Sequence, residues 1–240
     1  MKSKLFTAML LFSLVFSLNL TAAEKKMSDN EKKAREILKS LLDRMNGKNG
    51  VKNYTFELLY KPKYINGFKF ILHTKIFVKF NKDGTFLHAI KNLSDSKFAI
   101  DMQAILNNDG RFVYYPDNHI AIKKLFEEPK NLTEVNYADI VDVKMQPSNG
   151  EGLKVIFKNK KTKLIYVYTF ERVSGDLLLK KMKRLDASGK EIQPGELNIT
   201  LKFNTNIPKD TFTIPNDTKI LVAKDYNELE KYQLDVLKNN

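Results

Sequence analysis

The chain has 240 residues, with 41 Lys and Arg against 28 Asp and Glu, for a formal net charge of +13. Apolar residues make up 42% and aromatic residues 11%, enough for a packed core and too many for a disordered chain. The absence of Cys excludes disulfides, thiolate metal sites, a cysteine nucleophile and a lipid-anchoring cysteine, and three His argue against a multi-His metal centre.

The first residues read as an export signal. Lys2 and Lys4 are followed by an apolar run from Leu5 to Leu20, and Thr21-Ala22-Ala23 places small residues at a cleavage site after Ala23. The run is short for a membrane span and is interrupted by Asn19. Cleavage removes residues 1–23 and leaves residues 24–240 as a single β domain, with the charge lowered to +11 by the loss of Lys2 and Lys4. The expected location is the periplasm, which makes nucleic acid a poor partner for the basic charge.

A helix is expected from about Asp29 to Asn46. Ser28 and Glu31 have the spacing of a capping box. Ala34, Ile37, Leu38, Leu41, Leu42 and Met45 recur at steps of three and four, the period of one apolar stripe, and Gly47 is placed to end the helix.

From Tyr54 the period becomes two. Tyr54, Phe56, Leu58 and Tyr60 form one face of a strand. Phe68, Phe70, Leu72, Thr74, Ile76, Val78 and Phe80 form the face of a long second strand. Asp83-Gly84 and Asp109-Gly110 are hairpin signals. Strands are expected at 85–91, 97–106, 112–115 and 120–125. The segment from Leu132 to Val141 admits one or two helical turns, and Val141 to Gln146 equally admits a strand. Strands resume at 153–158, 164–172, 177–185 and 197–204, with a short terminal helix at 227–238. The sum is about ten to eleven strands joined by short turns, without βαβ crossovers. It predicts a mainly β fold: an open, strongly curved antiparallel sheet, an incomplete barrel with meander connections, with the first helix and short helices as its lid.

Three segments resemble the periplasmic outer-membrane lipoprotein carriers, the LolA/LolB group. They are Asn108-Asp109-Gly110-Arg111-Phe112-Val113-Tyr114-Tyr115-Pro116-Asp117, Leu185-Asp186-Ala187-Ser188-Gly189, and the closing run from Asn204 to Pro215 with Phe212 at its centre. Their order and spacing carry the resemblance. It implies a hydrophobic cavity for lipoprotein acyl chains or other lipid, an inner-membrane release complex and an outer-membrane acceptor as partners, a monomer, and no cofactor. The family's Arg-Pro latch pair has no counterpart in the stretch from Phe77 to Lys82, so the cavity is carried over and the latch is not, unless Lys79 remakes it.

The candidate lipid-binding residues are Leu38, Leu41, Leu42 and Met45 on the helix, and Phe56, Leu58, Phe70, Leu72, Ile76, Val78 and Phe86 on the strands. Each strand residue reads equally as ordinary β core, and the helix stripe is core in nearly any fold and lid only if the cavity exists. His73, His88 and His119 have no acid or Ser companion at motif spacing, so no catalytic or metal residue is assigned. The scattered Lys residues read as a solvated face, with steering toward anionic lipid as the alternative. The expected function is a non-enzymatic carrier. The other readings are an envelope sensor or adaptor that binds a protein partner, and a hydrolase that depends on His119 or His73.

Overall fold

The computed structural model describes residues 28–62, 71–94, 101–126, 139–148, 152–173, 176–192 and 195–238. The export signal, Phe68 to Phe70 and the ambiguous segment 132–138 lie outside them. The chain is mainly β. Helix α1 (Asp29–Met45) comes first. Six strands follow: β1 (Asn53–Pro62), β2 (Leu72–Phe80), β3 (Phe86–Asn92), β4 (Gln103–Asn107), β5 (Gly110–Tyr115) and β6 (Ile120–Lys124). Then come β7 (Ile140–Pro147), β8 (Leu153–Asn159), β9 (Ile165–Val173), β10 (Asp176–Leu185), β11 (Gly195–Phe203), β12 (Lys219–Ala223) and α2 (Tyr226–Lys238).

The strand order is β12-β6-β5-β4-β3-β2-β1-β11-β10-β9-β8-β7, so the sheet is open and does not close into a barrel. Among the described residues the strand pairs are antiparallel, except β12 with β6, which is parallel. The expected antiparallel sheet is therefore present as two meanders, β1 to β6 and β7 to β11, with β12 added at one edge. The described residues fall into two compact units. One combines residues up to Gly50 with Pro129–Pro194, and the other combines Val51–Glu128 with Gly195–Asn240.

In the first unit, α1 starts where the sequence predicts. The Ser28 side chain accepts from the Glu31 backbone N–H at 3.2 Å. Only this half of the capping box forms, because the Glu31 carboxylate turns to Arg35 at 3.0 Å. Gly47 follows the helix with φ +73, the left-handed conformation glycine tolerates. Ala34, Leu38, Leu41 and Leu42 are buried, and α1 packs on β7. The same unit buries Val155 and Phe157 of β8, Tyr166, Tyr168 and Phe170 of β9, and Leu179 of β10. Their rings form a ladder: Phe157 stacks on Tyr166 at 5.2 Å and meets Tyr168 edge-on at 5.0 Å.

In the second unit, β1 lies between β2 and β11. Both Asp-Gly turns form, with Gly84 at φ +84 and Gly110 at φ +134. One sheet face at the β5, β6 and β12 end is covered by α2, whose Leu229 and Val236 pack on Val113, Tyr115 and Ile122. The opposite face of β2 to β6 is covered by the closing segment: Phe212, with Ile207 and Ile214, packs on Phe77, Ile105 and Phe112. Asn107 fastens that segment by donating to the Phe212 carbonyl at 2.9 Å.

Candidate functional site

Cross-strand register brings four of the expected strand residues together. Phe56 faces Ile76 on β2 and Leu201 on β11, and Leu58 faces Thr74 and Ile199. Tyr54 faces Val78 and Phe203. Because side chains alternate along a strand, these residues share one face. All are buried except Phe203, and Leu58 is 1% exposed. Burial raises the Tyr54 hydroxyl pKa to about 12. Leu72 and Phe86 flank the patch and are half-buried, opposite Tyr60 and Phe80 respectively. Phe70 lies outside the described residues. His88 belongs to this face, opposite Val78 and Leu106, and burial pushes its pKa down to about 4.

The other face of β1 and β2 carries a polar cluster beside the buried Phe77. Glu57 takes His73 Nε2 at 2.6 Å and Lys75 Nζ at 3.6 Å, and the His73 hydrogen bond holds its carboxyl below the usual carboxylate range. His119 sits in an exposed turn with Asp217 at 3.1 Å. The three His thus occupy separate places. Among the described residues no cluster of three or more His, Asp or Glu is arranged to hold a metal.

The four helix candidates belong to the first unit. Leu38, Leu41 and Leu42 are buried there, and Met45 is half-buried. Beneath α1 lies a pocket of about 190 Å³. The helix supplies Ile37, Ser40, Leu41 and Arg44, positions three and four apart that share one face. Strand β9 supplies Phe170 and Arg172, and β10 supplies Asp176 and Leu177. Phe170 and Leu41 lie against the pocket but are only 1% and 7% exposed, so the polar and charged side chains supply much of its open surface. Arg44 stands 3.8 Å from Asp176. The charged part of the lining is the two guanidinium groups of Arg44 and Arg172 and the Asp176 carboxylate.

Of the expected lipid-binding residues, only Leu41 lines this pocket. Phe170, Arg44 and Arg172 were not expected there. Arg44 lies three residues after Leu41, beside the apolar stripe, so its proximity to the pocket is legible in the helical period. The approach of β9 and β10 is not.

No family model matches the chain, and no curated protein matches it in sequence. Among solved structures it is similar to the complex of MucA and MucB from Pseudomonas aeruginosa, at 12% identity and a TM-score of 0.48, over 80% of this chain and 64% of that one. It is also similar to MucB in complex with MucA(peri), at 13% identity and a TM-score of 0.47, over 79% and 62%. A DUF1329 family protein from Desulfovibrio piger matches at 11% identity and a TM-score of 0.40, over 78% and 98%. The chain spans less than two thirds of the length of the first two.

Proposed function

We propose that this protein is a non-enzymatic periplasmic carrier that binds acyl chains, of lipoproteins or of other lipids, and moves them toward the outer membrane. The observation that supports the reading is the pocket beneath α1, to which Ile37, Leu41, Phe170 and Leu177 bring apolar side chains beside Arg44, Arg172 and Asp176. A hydrocarbon chain needs a dry apolar wall and no hydrogen-bonding partner, and each methylene removed from water contributes roughly 0.8 kcal/mol. A cover that admits such a chain needs weak attachments. The polar attachments of α1, beside the buried Ala34, Leu38, Leu41 and Leu42, include Asn30 to the Met145 carbonyl at 3.3 Å, Arg35 to the Ile140 carbonyl at 3.4 Å, and Arg44 to Asp176 at 3.8 Å. The periplasmic location is supported by the export-signal pattern of residues 1–23. No helix among the described residues is long and apolar enough to cross a membrane.

The test uses the mature protein titrated with a fluorescent fatty-acyl probe, together with mass analysis of co-purifying lipid. Saturable binding that lipid extract displaces is the expected result. Absence of both bound lipid and probe binding would sink the carrier reading.

A second reading, an envelope sensor or adaptor that binds a protein partner, is favoured by one observation. Strand β12 ends the strand order and leaves Ile220 and Val222 52% and 41% exposed, and an unpaired strand edge is a template for pairing with another chain. In-cell cross-linking separates the readings: a carrier traps many lipoproteins, an adaptor traps one partner.

A further inference from the structure

We propose that the outward face of the β7–β10 strands in the first unit docks on an anionic membrane surface. The inference goes beyond the carrier reading and does not depend on what the pocket holds. The lysines involved are scattered in the sequence, and strand register gathers them. Lys144 of β7 faces Ile156 of β8, Ile156 faces Val167 of β9, and Val167 faces Lys183 of β10. In the row to one side Lys154 faces Thr169, and Thr169 faces Lys181. In the row to the other side Lys158 faces Ile165. These residues alternate with the buried Val143, Val155, Phe157, Tyr166, Tyr168 and Phe170, so they share the opposite face of the strands. Helix α1 lies on the buried side, where its Leu41 meets the same pocket as Phe170. Neighbouring strands are about 4.8 Å apart, so the lysines spread over a width of roughly 14 Å from β7 to β10. They surround a half-buried apolar strip of Ile156, Val167 and Ile165.

An ordinary solvated face intersperses both signs of charge. Here the three rows carry no carboxylate. Asp142 in the β7 bulge, Glu171 near the end of β9 and Glu191, 3.4 Å from Lys183, lie at the margins. Among the described residues Lys144, Lys154, Lys158 and Lys181 have no ion-pair partner. Lysine on an edge strand blocks pairing with another chain, which accounts for Lys144. Strands β8, β9 and β10 are interior and need no such guard. The cations of the face are all Lys. An ammonium is a point charge on a flexible stem, without the fork by which Arg grips one anion, so the face suits many mobile phosphates better than one fixed ligand. The stems lie along the apolar strip while the heads reach outward. Each basic residue near an anionic lipid surface contributes about five-fold in binding. The export-signal pattern of residues 1–23 favours a phospholipid headgroup layer over nucleic acid as the polyanion.

Flotation of the mature chain with phospholipid vesicles tests this. Vesicles of phosphatidylglycerol mixed into phosphatidylcholine are expected to bind it at least about ten-fold more tightly than phosphatidylcholine alone, and high salt should erase most of the difference. The triple variant Lys154→Gln, Lys181→Gln and Lys183→Gln should cost about a hundred-fold. A control triple in the second unit, Lys219→Gln, Lys224→Gln and Lys231→Gln, replaces three exposed lysines and changes the net charge equally. It should cost about two-fold at most, because those residues lie off the docking face. Single Lys181→Gln, expected to cost about five-fold, keeps the test open should the first triple unfold. Equal losses in the two triples assign the binding to overall charge, and equal binding to both kinds of vesicle assigns it to apolar contact; either result overturns the proposal. Binding to polyglutamate without binding to vesicles makes the partner an acidic protein and overturns it as well. Acyl-probe binding tests the carrier reading separately, so the two can fail independently.

Discussion

His88 carries the clearest chemical consequence of a single position. It faces Val78 and Leu106 on an apolar sheet face, and among the described residues its ring has no hydrogen-bond or ion-pair partner. Burial holds its pKa at about 4, against about 6.5 in the unfolded chain. Above pH 6.5 both states are neutral there and His88 has no effect on the pH dependence. Between pH 6.5 and 4 the unfolded chain takes a proton that the folded chain refuses, so stability falls with pH by up to about 3 kcal/mol. The urea midpoint should drop across this window, and His88→Leu should flatten it. Glu57 acts lower on the scale: its depressed pKa gives stability that is present above the ordinary carboxylate value and lost as pH falls through the depressed one. The acid limb below pH 4.5 should therefore persist in His88→Leu. An unchanged slope from pH 6.5 to 4 in that variant would refute the assignment. Leu58, buried between Thr74 and Ile199, is the counterpart in packing. Leu58→Ala should cost about 2–5 kcal/mol by denaturant titration.

At the level of elements, the helix ends follow local chemistry. Removing the cap with Ser28→Ala should cost about 1 kcal/mol, read from the thermal unfolding of α1 by circular dichroism. The terminal helix α2 has an N-cap that was not anticipated: Asp225 accepts from the Glu228 N–H, and Glu228 accepts from the N–H of Lys224, one residue before the cap. The strands were less evenly legible. Two hairpins announce themselves through Asp-Gly turns, and most strands through alternation. Strand β7 was ambiguous because its register shifts between Val141 and Lys144, and Asp142 takes φ +54 there. A bulge of this kind breaks the two-residue period on which a strand reading depends. Strand β12 went unread because Lys219–Ala223 is short and pairs in parallel with β6, far back in the chain. If β12 is a docking edge, Ile220→Thr with Val222→Thr should leave stability within about 0.5 kcal/mol, since both are exposed, and should abolish cross-linking to the partner. Retained cross-linking would move the partner elsewhere.

For the molecule as a whole, the governing feature is the pairing of β1 with β11, in which Tyr54 meets Phe203. The two meanders are local, but this junction closes a loop across most of the chain. Non-local pairings slow folding because loop-closure entropy is spent before the contacts form. Refolding after a urea jump should therefore extend into milliseconds to seconds, and complete recovery within a millisecond by stopped-flow fluorescence would contradict the argument.

Composition and periodicity alone determined a basic, cysteine-free chain, a mainly β fold with open antiparallel pairing, and a capped amphipathic helix ahead of the strands. These are local properties, written in residue spacing. The tertiary structure decided which apolar residues line a pocket. Alternation marks the buried face of a strand and cannot say whether another side chain or a void fills the space above it. Phe56, Leu58, Ile76 and Val78 form one buried face on strands joined by register, whereas the pocket is built from Leu41, Phe170 and two arginines that distant segments bring together.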